Sequence, residues 1–279
     1  MKHLRVLSLV LVVICAISLS GCMHGGRTHE GTFSRELSVS GTTTLDLQSG
    51  AGGVTVRPGA DNKVSIFARI RARGILVGMS GEEKVKRIQD NPPISQEGNT
   101  IRVGRINDFE LHKNVLIDYE ITLPADSQVT IVTGAGNVNV RGVKGAVRAT
   151  TGAGGIDCQD LSDDVRLETG AGNIIAHGIR GRLDASSGAG SIKASGDPKK
   201  DWRLNVGAGS IQIQVPGNAS FELDASTGFG KVNLSSDIDI KNSSKTSTQL
   251  RGTVGNGGPA LHVNNGAGSI DISRGAGTN

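Results

Sequence analysis

The sequence has little with which to cross-link or stiffen a chain, and few aromatic rings. Three cysteines, seven prolines and seven aromatic residues are spread over 279 positions. Cys15 and Cys22 stand near the N-terminus, leaving Cys158 alone in the body, so no disulfide framework can form within it. With Trp202 and Tyr119 alone of their kinds, platforms for stacking sugars are scarce. Neither sign of charge dominates. The chain holds 30 Lys and Arg against 26 Asp and Glu, and loss of Lys2 and Arg5 with a leader would leave 28 against 26. No basic patch of the size nucleic acid requires survives, so no nucleic-acid partner is expected.

There is one long apolar run, Val6 through Leu19, behind Lys2 and Arg5. It is too short and wrongly flanked for a comfortable membrane span, but it suits a secretory signal. It ends in Leu19-Ser20-Gly21-Cys22, which resembles a bacterial lipobox. The resemblance implies cleavage before Cys22 and a diacylglycerol on its thiol. The next residue is Met23 rather than an aspartate, which by similarity to Gram-negative sorting rules implies the outer membrane. Residues 1–21 therefore read as a lipoprotein signal peptide, and 22–31 as a polar, glycine-rich tether. Residues 32–279 read as one domain held to the cell envelope by its lipid.

Glycine is what the chain has in quantity, with 41 residues. Gly-Ala-Gly or a close variant begins at Gly50, Gly134, Gly152, Gly170, Gly188, Gly207, Gly228 and Gly266. From Gly134 to Gly228 the gaps are 18, 18, 18, 19 and 21 residues, and a gap of 38 follows. A fixed period of this length signals stacked repeats, and the long gap suggests one repeat that lost its glycines around Leu250 to Gly258. Aligned on the first glycine, apolar residues fall five and three positions before it (Val165 and Leu167) and four and six after it (Ile174 and Ala176). Polar residues mostly alternate with them, as in strands with one face inward. The expected fold is all-β, a single-stranded β-solenoid or β-roll with coils of about 18 residues. The glycines at Gly134, Gly152, Gly170, Gly188, Gly207 and Gly266 are expected to make the turns, with Gly170 at positive φ.

Residues 57–128 depart from the period. They hold longer strands (Val64 to Ile70, Ile101 to Val103, Val115 to Leu123) around one short helical insertion, about 80–92. Ser80-Gly81-Glu82-Glu83 has the form of a capping box, Val85 and Ile88 share a face, and Pro92-Pro93 stops the helix. Such an insertion could cap an exposed end of the array.

Strands, a helical insertion, Tyr119-Glu120-Ile121-Thr122-Leu123-Pro124 and repeats such as Thr133-Gly134-Ala135-Gly136-Asn137-Val138-Asn139-Val140 together resemble the bacterial DUF4097 family. Head domains with a Gly-Ile-Asn pattern are similar. The resemblance spans roughly residues 35–273. It implies a right-handed or rolled β-solenoid at the cell envelope, with an adhesin label and no catalytic residues to carry over.

Competing chemistries fit poorly. A phosphate loop must open a helix, whereas these glycines lead into strands, so no nucleotide or other cofactor is expected. A calcium roll needs an acid in every repeat. Five after the glycine the chain has Asp157 and Asp271 but also Ile175 and Lys193. His24, His29, His112, His177 and His262 lack ligand spacing, so no metal site is expected. The Thr151, Thr169 and Thr227 column has inward parity, which argues against an exposed threonine ladder. The enzymatic alternative is a carbohydrate-active parallel β-helix, a polysaccharide lyase or hydrolase. Its best cluster is the outward column Thr130, Arg148, Arg166, Asp184, Arg203 and Asp224, with Glu168 on the same face. A ladder of opposite charges explains that column without catalysis, with Asp184 between Arg166 and Arg203. The expectation is therefore a non-catalytic envelope protein, attached to the membrane through its lipid. It would present a polar surface to an envelope protein or glycan, as adhesin, sensor or scaffold.

Overall fold

The computed structural model describes residues 27–74 and 78–275. The expected signal peptide, Cys22 and the first part of the tether lie outside the described residues. Each repeat gives a longer strand to a 12-stranded sheet (sheet B), bends, and gives a shorter strand to an 11-stranded sheet (sheet A). Val147–Ala153 and Ile156–Gln159 form one such pair. The next repeat lies parallel and in register, with Val147 beside Val165, Ala149 beside Leu167 and Ile156 beside Ile174. The four apolar columns therefore stack into one core between the sheets. Every member is buried except Leu234, which is half-buried. Parity explains this, since alternate side chains point to opposite faces of a strand. Among the described residues the molecule is all-β, with two large sheets rich in parallel strands, two short helices and no closed barrel.

A fifth column closes the bend. Of the residues one before the first glycine, Thr133, Thr151, Thr169, Ser187, Val206, Thr227 and Asn265 are buried, as their parity requires, and Ser49 is half-buried. Thr169 Oγ1 donates to the Gly154 carbonyl of the preceding repeat at 2.9 Å, and Ser187 Oγ does the same to Gly172 at 3.0 Å. Asn265 serves Gly209 through Nδ2 at 2.9 Å. These bonds satisfy carbonyls that the bend turns away from the strand ladder. Thr169→Val keeps the shape and leaves the Gly154 carbonyl without that donor. It is expected to lose about 1 kcal/mol, read from the urea midpoint.

The turn glycines work differently from the expectation. Gly134, Gly152, Gly170, Gly188, Gly207 and Gly266 lie near the ends of the longer strands, outside the left-handed region. The bend residues at positive φ are the second glycines, at the third position of the motif, including Gly154 (141°), Gly172 (148°) and Gly190 (142°). The first glycine is required for a separate reason. A Cβ on Gly170 would stand 2.5 Å from the Gly152 carbonyl oxygen, because successive backbones approach here without side chains between them.

The order of the repeats is also not the order of the chain. In sheet B the strand Ala260–Ala267 lies between Trp202–Ala208 and Phe221–Phe229. In sheet A Ile270–Arg274 lies between Ile211–Val215 and Val232–Leu234. The last repeat is thus inserted one place in from the end. The gap of 38 residues holds no degenerate repeat. It holds a hairpin, Ile240–Lys245 with Gln249–Val254, that runs antiparallel on the 221–229 strand and closes that end of sheet B. The other end is interleaved too, with Thr44–Ala51 between Thr100–Val103 and Gln128–Ala135.

At this end sheet A is extended by Val115–Leu123, Lys63–Arg73 and Thr28–Ser38. The last of these corrects the expected tether of 22–31, because residues 28–31 are paired strand. Helix α1 (Gly81–Asp90) is capped by Ser80, whose side chain accepts from the Glu83 amide at 3.1 Å. The Glu83 carboxylate turns to Arg87 at 2.7 Å. Val85 and Ile88 are buried, and Val85 packs against Gly31 on the inner side of the edge strand. A second helix, α2 (Phe109–His112), joins the one that was expected. Lys84 is fully buried and donates to the Lys113 carbonyl at 2.7 Å, tying α1 to the end of α2.

Candidate functional site: the outer face of sheet B

The alternation that buries the core columns turns the positions four and two before the glycine outward. In register, the first of these rows runs Thr130, Arg148, Arg166, Asp184, Arg203, His262 and Asp224. Interleaving places His262 between Arg203 and Asp224, which chain order does not reveal. The second row includes Thr150, Glu168, Ser186 and Asn205.

Charges in these rows pair with each other. Arg166 Nε donates to Glu168 at 2.5 Å, and its Nη1 lies 4.0 Å from Asp184. Arg148 reaches Glu168 at 3.9 Å. The hydrogen bond and charge of Glu168, followed by the charge of Asp184, hold the Arg166 guanidinium above its ordinary pKa. Asp184 is in register with both Arg166 and Arg203, but only Arg166 comes within ion-pair distance, so the expected sandwich is one-sided. Further along, Asp224 takes Arg251 at 2.9 Å and faces His262 Nδ1 at 3.9 Å.

Thr150, Arg166, Glu168, Asp184, Ser186 and Asn205 line a shallow, open depression of about 440 Å³. A second, of about 370 Å³, adjoins it around Arg148, Asp164, Arg166, Arg182 and Asp184. Asp164 is held below the usual carboxylate range, chiefly by the Lys200 ammonium hydrogen-bonded to it at 3.1 Å. The face can donate and accept hydrogen bonds along several repeats at the strand spacing of ~4.8 Å. Its carboxylates are engaged by neighbouring cations on an open surface, not held in an enclosed cleft.

The other residues singled out in the sequence are dispersed. Cys158 is buried in its column, and burial followed by the charge of Asp157 pushes its thiol up to about 12. Asp157 and Asp271 sit on separate strands of sheet A. Among the described residues no three His, Cys, Asp or Glu side chains gather to hold a metal. Trp202 and Tyr119 are both buried, so neither ring is open to a sugar. Arg182, Asp164 and Lys200 belong to the site but lie in or beside the loose second turns, where no motif marks them. The available signal was Val143, Leu161 and Ile179, a buried column at 18-residue spacing in those turns.

A two-sheet stack of glycine-punctuated repeats with a polar outer face is the class of architecture that the strands define. The family model Toastrack DUF4097 matches residues 44–273, and the chain belongs to that family. Among solved structures, it is similar to a candidate cell adhesion protein of Clostridium sporogenes. That pair is 12% identical with a TM-score of 0.40, covering 88% of this chain and 100% of the other. It is also similar to a candidate adhesin of Bacteroides fragilis, at 14% identity and a TM-score of 0.41, covering 87% and 97%. A candidate lipid-binding protein of Parabacteroides distasonis is 10% identical, with a TM-score of 0.27, covering 86% and 96%. No curated protein matches the sequence.

Proposed function

We propose that this protein is a non-catalytic, lipid-anchored component of the bacterial envelope, held at the outer membrane through Cys22. In this reading its repeats form a β-solenoid of the roll type, and the outer face of sheet B binds a glycan or another envelope protein. The observation that carries the reading is the pair of in-register polar rows around Arg166, with open depressions spanning several repeats. An extended partner with regularly spaced polar groups fits such a face. The carbohydrate-cleaving alternative would need an acid and a base free to act on one bond. Glu168 and Asp184 are instead drawn to the same guanidinium.

Two measurements test the proposal. Cys22→Ser, exported behind an ordinary cleavable secretory signal in place of residues 1–21, is expected to shift the folded chain from the membrane to the soluble fraction. Wild type without palmitate label would remove the anchor from the reading. For the face, Arg148→Glu with Arg182→Glu is expected to weaken retention of envelope glycans or proteins on the immobilised chain. Unchanged retention would move the site elsewhere. Cleavage of the polysaccharide by wild type, lost in a folded Asp184→Asn variant, would make the protein an enzyme.

A further inference from the structure

The edge along which the repeats bend is the unassigned surface with the clearest geometry. The central residues of the Gly-X-Gly bends form one in-register column, and Ala135, Ala153, Ala171, Ala189, Ala208 and Ala267 are all exposed. The column ends at Phe229, paired with Ala267 and 81% exposed where the other repeats have alanine. Ala51 is the opposite end, and beside it α2 packs His112 against Gly50. One helical turn before His112, Phe109 is 69% exposed. Two solvated phenylalanines thus bracket a ridge free of protruding side chains, about 34 Å long at seven strand spacings of about 4.8 Å.

The chain enters the fold at the same edge. Thr28 pairs with Arg73, whose amide donates to the Asn114 carbonyl just after α2. The strand that follows crosses the bend at Gly52, whose Cβ position faces Ile117. Six peptide steps separate Cys22 from Thr28, a reach of no more than about 20 Å. Cations flank the apolar positions. Lys113 Nζ lies 4.0 Å over the Phe109 ring and is paired with Glu110 at 2.8 Å, Lys231 follows Phe229 by two residues, and Arg27 and Arg73 are exposed beside the entry point.

We propose that the bend edge is a membrane-contacting surface that lies along a bilayer containing anionic phospholipid, with Phe109 and Phe229 entering the interface and the cations meeting headgroups. This rests on the lipid anchor at Cys22. It stands both sheets upright on the membrane and leaves the outer face of sheet B open to a partner.

The test uses the acylated full-length protein reconstituted in vesicles of phosphatidylethanolamine and phosphatidylglycerol brominated in their acyl chains. A fluorophore is placed on Ala171→Cys at the ridge, or on Arg180→Cys in a second turn; the native Cys158 thiol is buried and unreactive. Quenching is expected to be several-fold stronger at position 171 than at 180. Adding Phe109→Ser and Phe229→Ser is expected to bring position 171 down to the level of 180, while the urea midpoint and vesicle co-sedimentation stay unchanged. Equal quenching at the two positions in wild type, or quenching at 171 that survives loss of both rings, would overturn the membrane surface. Mass analysis of Cys22 reports separately. An unacylated Cys22 would overturn the anchor and this inference with it, whereas an acylated Cys22 with equal quenching sinks the inference alone.

Discussion

Alanine at Gly172 is expected to destabilise the protein more than alanine at Gly170, and valine at Gly172 is expected to prevent folding. Gly172 has φ of 148°, a conformation that costs a residue with a Cβ about 1–3 kcal/mol. Its Cβ would also meet the carbonyl group of Gly154 in the preceding repeat, inside van der Waals distance. That neighbour is backbone, fixed by the ladders on both sides, and gives way only if the repeats separate. The two effects together predict a loss of at least about 3 kcal/mol for Gly172→Ala, a large share of the 5–15 kcal/mol that holds a typical domain. Gly170→Ala meets the carbonyl of Gly152 but needs no unusual φ, so about 1–3 kcal/mol is expected. Ile175→Val, at an exposed position of sheet A, should remain within about 0.5 kcal/mol of wild type. Urea midpoints of the three variants decide the matter. A Gly170→Ala variant less stable than Gly172→Ala would mean that the bend lies at the first glycine after all.

The contrast between these two glycines shows how far periodicity can be read. An 18-residue spacing reveals that a column of glycine is needed, but not which physical demand each one meets. Positive φ and close backbone approach leave the same mark in one sequence. The core columns were legible because burial and strand parity act within a single repeat, as with Val165, Leu167, Ile174 and Ala176. The same logic placed Thr151 and Thr169 inward, although their bonds to carbonyls one repeat away needed coordinates. The strand Thr28–Ser38 was not legible, because Phe33 is its one fully buried large side chain and the rest reads as polar linker. The polar face was half-legible. Its rows follow from parity, but His262 entered through the order of the repeats, and Arg182 and Lys200 came from turns without a motif.

Order is the feature that columns cannot encode. Repeats present apolar inward residues at matching positions, so that pattern alone does not fix which repeat stacks on which. Adjacency in the chain is then the sole guide, and it fails at both ends. Leu261→Asp exposes the consequence at the C-terminal end. Leu261 is fully buried, with Trp202 on one side and Leu223 on the other. The substitution removes about 1.5–3 kcal/mol of apolar burial and puts an unpaired carboxylate into the core, a change of several kcal/mol. Were the repeats stacked in chain order, this residue would lie in the last layer, and fraying would stop at the residues after 259. In the interleaved stack the damaged repeat sits between its neighbours, so residues 221–254 lose their attachment with it. Native-state hydrogen exchange is therefore expected to show lost amide protection over 221–254 as well as 260–274, with protection retained near 147–177. Loss confined to 260–274 would show that the repeats follow chain order and that the last one is a terminal layer.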